Sequence, residues 1–140
     1  MAVSTAKAVW NGELKSGNGK MSFTGYEGPF TFASRFEDGA ETNPEELVGA
    51  ANAGCFSMFL SALLGGAKIV PTSIETTAKV TLGTVDGGPR ITGIELNCEA
   101  NIPGISNEDF QNYAKDAKAK CPISLLFAGT EITLNAKLVG

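Results

Sequence analysis

A long helix that is apolar on nearly every side is the strongest constraint on how this chain folds. Asn43 is a favourable N-cap, Pro44 suits the first helical position, and Glu46 stands where a capping-box acid is found. From there to about Leu64 the turns hold large apolar residues interleaved with small ones. A helix of this kind is expected to be buried on all sides. A chain of 140 residues has little else to surround it, so the sequence predicts a partner subunit.

Small residues on the same helix support that prediction. Gly49 and Ala53 are four residues apart, as are Ala50 and Gly54, so each pair lies on one face of the helix. Faces built from such small side chains would let another backbone approach closely. We therefore expect these positions to contact the partner subunit.

Strands are predicted on both sides of the helix. Before it, residues 4–10, 20–24 and 30–36 form an antiparallel meander separated by glycine-rich turns. Residues 30–36 alternate, which would place Arg35 on the side of the third strand opposite its phenylalanines.

The second half of the chain also alternates between apolar and polar residues. Residues 74–82 and 94–100, joined by a Val-Asp-Gly-Gly-Pro turn, predict a long hairpin with one buried face. Ser106 is a candidate N-cap for a second helix, which Pro122 should stop. Residues 132–138 predict a last strand.

Size and charge limit the classes of protein. With 140 residues, 43% of them hydrophobic, the chain should form a single α+β domain over residues 1–140. A net charge of -4 without long charged runs argues against a nucleic acid or an anionic membrane as partner. The N-terminus does not resemble a secretory signal, and the apolar run over residues 55–64 is too short to span a bilayer. A cytoplasmic protein is expected.

The chain has no histidine, which makes cysteine the candidate nucleophile. Ser-His-Asp and Cys-His catalysis and histidine-ligated metals are excluded. Three cysteines without C-x-x-C spacing fit neither a secreted disulfide framework nor a zinc site, so reduced thiols are expected. Cys98 shares a strand face with Ile94 and Leu96 and should pack as a small hydrophobe. For Cys55 and Cys121, pattern alone leaves a packing role and a functional role open.

A functional Cys55 would need a positive charge nearby. Only about 3% of an unperturbed thiol is ionised at pH 7, and burial lowers that fraction. Cys55 lies roughly 15 Å beyond the start of the helix, too far for the helix dipole. Arg35 is the nearest cation in sequence, and Glu45 could hold it. The ordinary alternatives, a surface ion pair for Arg35 and a helix-dipole role for Glu45, are more common for such residues.

Four motifs are distinctive in type and spacing: Ser-Arg35-Phe-Glu-Asp-Gly, Thr-Asn43-Pro44-Glu45-Glu46-Leu, Ala-Gly-Cys55-Phe-Ser-Met-Phe-Leu and Lys-Cys121-Pro122-Ile-Ser124. Together they resemble the OsmC/Ohr family of hydroperoxide reductases, and in particular its osmotically inducible OsmC branch. The resemblance covers nearly all of the chain. One departure is Asn52, which stands where many members of that branch carry histidine.

The resemblance implies both a fold and an activity. It implies an intertwined homodimer whose long helices pack between antiparallel sheets with strands from both subunits. Cys55 would be the peroxidatic cysteine, Cys121 the resolving cysteine, and Arg35 and Glu45 would tune Cys55. Organic hydroperoxides, and more weakly hydrogen peroxide, would be reduced through a Cys55 sulfenic acid and a Cys55–Cys121 disulfide. An external dithiol of the lipoyl type would reduce that disulfide, with no metal, flavin or haem.

Two features of the sequence leave alternatives. Phe56, Met58, Phe59 and Leu60 follow Cys55 and suggest an apolar approach for a bulky peroxide, although they suit a core equally well. The same cysteine pair could instead serve a non-enzymatic redox sensor or binding module, although no output element such as a basic DNA-binding helix is evident. A small-ligand carrier is a third, weaker alternative.

Overall fold

The computed structural model describes all residues, Met1–Gly140, which form two compact units, Met1–Leu47 and Val48–Gly140. The single domain over residues 1–140 stays a prediction. Each unit contains a three-stranded sheet, and four helices complete an α+β fold. The α+β class is therefore confirmed.

The first unit begins with an antiparallel meander. Strands β1 (Lys7–Asn11), β2 (Asn18–Phe23) and β3 (Tyr26–Phe30) pair in the order β1-β2-β3. The tight turn between β2 and β3 uses Gly25 at φ 76°, a conformation that glycine adopts without steric cost. The meander and its first two strands were predicted, with shifted ends.

The third predicted strand, at residues 30–36, is wrong. β3 ends at Phe30, and the short helix α1 (Phe32–Phe36) follows. Its cause is a capping box: the Ser34 N–H donates to Thr31 Oγ1 at 3.1 Å, and the Thr31 N–H donates to Ser34 Oγ at 2.9 Å. Phe32 and Phe36 lie four residues apart on one helix face with ring centroids 5.0 Å apart, although their even spacing also fits a strand. Arg35 is therefore a helical residue.

The long helix α2 (Pro44–Gly66) begins where predicted. Asn43 caps it, since Asn43 Oδ1 accepts from the Glu46 N–H at 2.8 Å. The helix has 23 residues and contains an 18-residue window with a mean hydropathy of 1.7, so it is longer than the apolar run over residues 55–64 and by length and composition alone could cross a bilayer. Its contacts within the second unit are those of a core helix.

Only one face of α2 is buried within this chain. That face carries Gly49, Asn52, Phe56, Leu60 and Leu64, at spacings of three and four residues. Over residues 50–62 the opposite face is exposed and uncharged, with Ala50, Ala51, Gly54, Met58, Ser61 and Ala62. The predicted burial on all sides is therefore not reached by a single chain.

The second unit contains the predicted hairpin. Strands β4 (Ser73–Val85) and β5 (Gly88–Asn101) are antiparallel, and the turn between them places Asp86 at φ 51° and Gly87 at φ 79°, as a two-residue hairpin turn requires. Alternate β5 side chains form the buried face: Ile94, Leu96, Cys98 and Ala100. This face packs with α2 residues in the core of the unit.

Two helices lead from β5 to the last strand. Helix α3 (Asn107–Lys120) is capped by Ser106, whose Oγ accepts from the Asp109 N–H at 3.1 Å. It stops before Pro122, which begins the short helix α4 (Pro122–Leu126). Strand β6 (Ile132–Val139) then pairs parallel to β5 in the order β4-β5-β6. The expectation of antiparallel pairing holds for β4 and β5 but is wrong for β5 and β6, because a helical crossover returns the chain in the direction of β5.

Candidate active site

Arg35 and Glu45 form an ion pair in the first unit. Arg35 Nη2 donates to Glu45 Oε1 at 2.8 Å, and Arg35 Nε donates to the same oxygen at 3.1 Å. The Glu45 side chain is 8% exposed and that of Arg35 is 39% exposed. The predicted pair is present, but the guanidinium donates both hydrogen bonds to one carboxylate oxygen and none to the other.

Hydrogen bonds from the start of α2 hold this pair in place. Asn43 Nδ2 donates to the Ser34 carbonyl at 2.8 Å, and Ser34 Oγ donates to the Thr42 carbonyl at 2.7 Å. These bonds tie α1, which carries Arg35, to the segment that enters α2, which carries Glu45. The position of Arg35 thus follows from the capping residues of two helices.

The second oxygen of Glu45 lacks a partner. Oε2 is buried and receives no hydrogen bond from the protein. An unpaired buried carboxylate oxygen is costly for the fold. Arg35 donates hydrogen bonds only to Oε1, so Oε2 remains free to accept a hydrogen bond from a further donor.

Apolar side chains surround the exposed side of Arg35. Trp10, Leu14, Phe30, Phe32 and Phe36 line a cleft of about 240 Å³ together with Thr31 and Arg35 itself. The guanidinium carbon lies 5.4 Å from the centroid of the Phe36 ring. The cleft therefore presents one cation within an aromatic wall, a surface suited to an apolar molecule with a polar reactive group.

Cys55 and Cys121 are neighbours in the second unit. Both are free thiols; Cys55, in the middle of α2, is half-buried, and Cys121 is fully buried. Pro122 ends α3 and begins α4, which leaves Cys121 in extended backbone at the junction as the N-cap of α4. The structure thus brings together the two cysteines that sequence motifs singled out.

Burial raises the pKa of the Cys55 thiol above its ordinary value. The Ile123 backbone N–H donates to the sulfur and lowers the pKa, whereas the hydrogen bond and the charge interaction with Cys121 raise it. None of these groups is a cation. Within the second unit the thiol is therefore favoured over the thiolate.

A polar network that the sequence analysis missed surrounds Cys121. Ser124 Oγ lies 3.0 Å from Cys121 Sγ, and the Ser124 N–H donates to that sulfur at 3.3 Å. Asn52 Nδ2 points to Ser124 Oγ at 3.4 Å and to Cys121 Sγ at 4.0 Å. An asparagine on an otherwise apolar helix, three residues before Cys55, was the signal that could have found it.

Cys98 has the packing role predicted for it. It is 1% exposed on the buried face of β5, and burial raises the pKa of its thiol. Of the residues that follow Cys55, Phe56 and Leu60 are fully buried core residues, so of the two alternatives the core role holds for them. Met58 is 78% exposed.

The family model of OsmC-like proteins matches residues 37–137. The chain belongs to the OsmC-like protein family. It is 47% identical to the Peroxiredoxin OsmC of Escherichia coli (strain K12) over 135 residues, and this alignment covers 94% of each chain. It is 31% identical over 104 residues to the Organic hydroperoxide resistance protein-like 1 of Staphylococcus epidermidis, which covers 73% of this chain and 74% of the relative.

The fold agrees with that membership. The crystal structure of an OsmC-like protein from Mycoplasma pneumoniae superposes with a TM-score of 0.79 at 16% identity, over 99% of each chain. The resemblance recognised in the four motifs is thus confirmed. In this OsmC-like protein the two motif cysteines lie together, and the motif arginine and glutamate form an ion pair.

Proposed function

We propose that this OsmC-like protein is a thiol-dependent peroxidase that reduces organic hydroperoxides, and hydrogen peroxide more weakly. The observation that carries the proposal is the contact between Cys55 and Cys121, which gives a half-buried thiol a second thiol as immediate neighbour. The names of the relatives, a peroxiredoxin and organic hydroperoxide resistance proteins, support the same activity.

Cys55 is the peroxidatic cysteine in this proposal. Its thiolate attacks the distal oxygen of the hydroperoxide, the O–O bond breaks, and the electron pair leaves with the alkoxide, which takes a proton to become the alcohol. Because no cation is among the groups that set the pKa of Cys55, its activation requires charge from elsewhere. Arg35 supplies that charge to the thiolate and to the breaking bond, and Glu45 holds the guanidinium.

Cys121 is the resolving cysteine. It attacks the sulfur of the Cys55 sulfenic acid, water leaves, and a Cys55–Cys121 disulfide forms. An external dithiol then reduces this disulfide by exchange and becomes a disulfide itself. A lipoyl-type dithiol, with two thiols on one short chain, closes its own ring in the second exchange. The proposed cycle needs no metal, flavin or haem.

The preference for organic peroxides rests on the aromatic cleft at Arg35. An alkyl or aryl group gains free energy by leaving water for a wall of Trp10, Phe32 and Phe36, whereas hydrogen peroxide has no such group. The cleft thus takes the substrate role that Phe56 and Leu60 lose by lying in the core.

The exposed face of α2 supports a homodimer, in which a second copy of the chain covers it. Gly49 does not belong to that face, because a Cβ there would meet Val80 Cγ2 of β4 at 3.1 Å. Gly54 does, since nothing lies within 4 Å of its Cβ position. A cytoplasmic location, without a membrane, is part of the proposal, as the helix serves as a core and interface element.

Gly54→Leu tests the dimer. In a lone chain this exposed change is harmless and even improves helix propensity, because leucine is a much better helix former than glycine. In a dimer it inserts a large side chain into a close contact, so we expect dissociation in sedimentation at micromolar concentration. Gly49→Leu is the control: its side chain would clash with β4 of the same chain, so it should lower folding stability without placing a side chain in the dimer contact. A wild-type monomer at this concentration would refute the dimer.

A substrate panel with dihydrolipoamide as reductant tests the activity. We expect many turnovers with cumene hydroperoxide, fewer with hydrogen peroxide, and dependence of the rate on the dithiol. A redox sensor would instead consume about one equivalent of peroxide and stop with or without reductant. That result would replace the proposed peroxidase with the sensor.

A further inference from the structure

Asn52, Cys121 and Ser124 form a buried polar cluster within the second unit. Asn52 and Cys121 are fully buried, and Ser124 is 8% exposed. The cluster stands beside an apolar core that includes Phe56 and Leu60. Asn52 Nδ2 and the Ser124 N–H and hydroxyl are directed at the sulfur of Cys121 or at the hydroxyl next to it.

Stability does not account for the asparagine. Asn52 Oδ1 is buried and has no hydrogen-bond partner, so the side chain leaves one polar atom unpaired where leucine would leave none. What the amide provides is its Nδ2, directed at Ser124 Oγ and Cys121 Sγ. This points to a role for the donor rather than for packing.

The two sulfurs have unequal numbers of hydrogen-bonding neighbours, and in the bond between Cys121 Sγ and Ser124 Oγ either atom can be the donor while Cys121 is a thiol. Cys121 Sγ has the Ser124 N–H at 3.3 Å, Ser124 Oγ at 3.0 Å and Asn52 Nδ2 at 4.0 Å. Cys55 has one backbone donor, the Ile123 N–H. Cys121 therefore has more hydrogen-bonding groups around its sulfur than Cys55 has, and those groups can donate to it once it becomes a leaving thiolate.

We infer that Asn52 and Ser124 are positioning residues that make Cys121 the leaving sulfur when the Cys55–Cys121 disulfide is reduced. The inference rests on the proposed function for the existence of that disulfide in the working cycle. A thiol–disulfide exchange is faster when the departing thiolate is stabilised. Cys55, as the half-buried sulfur, is also the one a reductant can reach.

Two successive thiol–disulfide exchanges reduce the protein disulfide. A thiolate of the dithiol attacks Cys55 Sγ, the S–S bond breaks, and its electron pair leaves on Cys121 Sγ, where the donors of Ser124 and Asn52 receive the charge. The second thiol of the reductant then attacks the mixed disulfide and releases Cys55. Two electrons pass from the dithiol to the protein, and the reductant ends as its own disulfide.

The test uses the intact chain oxidised with diamide, so that no peroxide reaction is needed to make the disulfide. Reduction by dithiothreitol is followed in wild type, Ser124→Ala and Asn52→Leu. We expect each variant to be reduced about three- to tenfold more slowly, since the leaving thiolate loses a donor. Ser124→Thr, which keeps the hydroxyl, should match wild type.

Ser57→Ala is the matched control on the same helix. Ser57 Oγ lies 2.6 Å from Thr76 Oγ1 and donates to no sulfur, so its loss should leave the reduction rate unchanged. If Asn52 and Ser124 had a purely structural role, their replacement would speed the reduction of the disulfide, because a loosened core exposes it. Our inference predicts slower reduction. Unchanged or faster reduction of Ser124→Ala and Asn52→Leu would overturn the inference.

A reductant with a single thiol identifies the attacked sulfur. The oxidised protein is treated with 2-mercaptoethanol, the reaction is quenched with acid, and mass spectrometry locates the mixed disulfide. We expect the adduct on Cys55 in wild type; an adduct mainly on Cys121, or no disulfide after diamide, would refute the inference. A different outcome refutes the proposed function alone: the wild type does not consume peroxide, although the reduction of its disulfide proceeds as expected.

Discussion

The Arg35–Glu45 pair and the Cys55–Cys121 pair differ in what surrounds them. The first pair is charged, with a buried carboxylate, a half-exposed guanidinium and an aromatic cleft beside it. The second pair is neutral, with one thiol half-buried and the other fully enclosed, and burial raises the pKa of Cys55. The first region holds charge without a nucleophile, and the second holds nucleophiles without charge.

That difference explains why neither region would be an efficient peroxidase alone. A thiol with a raised pKa is a poor nucleophile at neutral pH, because the thiolate is the reacting species. A guanidinium in an aromatic cleft can stabilise a developing negative charge but cannot break an O–O bond. The proposed chemistry needs the charge of one and the sulfur of the other, and the predictions below test that division.

Replacing the nucleophile should have the largest effect. We expect Cys55→Ser to abolish peroxide consumption, because a serine hydroxyl is hardly ionised at neutral pH and there is no histidine to activate it. Peroxide loss measured with an excess of dihydrolipoamide would show this. Full activity in Cys55→Ser would place the nucleophile outside the cysteine pair.

Replacing its neighbour should separate the first turnover from the rest. Cys121→Ser should reduce about one equivalent of peroxide at a rate near that of wild type, and then accumulate sulfinic or sulfonic acid at Cys55, since no thiol traps the sulfenic acid. Intact-mass spectrometry against peroxide equivalents reports both stages. Sustained turnover without over-oxidation would contradict the resolving role of Cys121.

The third cysteine gives the smallest expected effect. Cys98→Ser should keep peroxide consumption within a few-fold of wild type, because Cys98 packs on the buried face of β5. Peptide mapping of the peroxide-oxidised wild type should show the disulfide between Cys55 and Cys121. A disulfide that contains Cys98 would show that Cys55 and Cys121 are not the redox-active pair.

Much of the fold could be predicted because local patterns were strong. The cap at Asn43, the alternation along β4 and β5 and the stop at Pro122 each depend on residues close in sequence. Helix α1 was missed since Phe32 and Phe36 fit both periods, and only the contacts of Thr31 with Ser34 decide between them. The parallel pairing of β6 depends on a crossover that alternation cannot reveal.

The candidate site was likewise predictable only in part. Motifs found Arg35, Glu45, Cys55 and Cys121, and the resemblance supplied the roles that spacing alone left open. The polar network of Cys121 was missed because Asn52 and Ser124 are 72 residues apart and meet only through the packing of α2 with α4. Long-range hydrogen bonds between side chains leave no periodic trace in a sequence.

Whether Arg35 activates Cys55 can be measured as the pre-steady-state rate of Arg35→Ala with an organic hydroperoxide across pH 5 to 9. We expect the rate to fall by about 10²–10³ at neutral pH and its rise with pH to move to higher pH, because the thiolate and the breaking O–O bond both lose the guanidinium. Arg35→Lys should recover part of the rate, and Glu45→Gln should be milder than Arg35→Ala. If Arg35→Ala matches wild type in rate and in apparent thiol pKa, another group activates Cys55 and the division of labour between the two pairs is wrong.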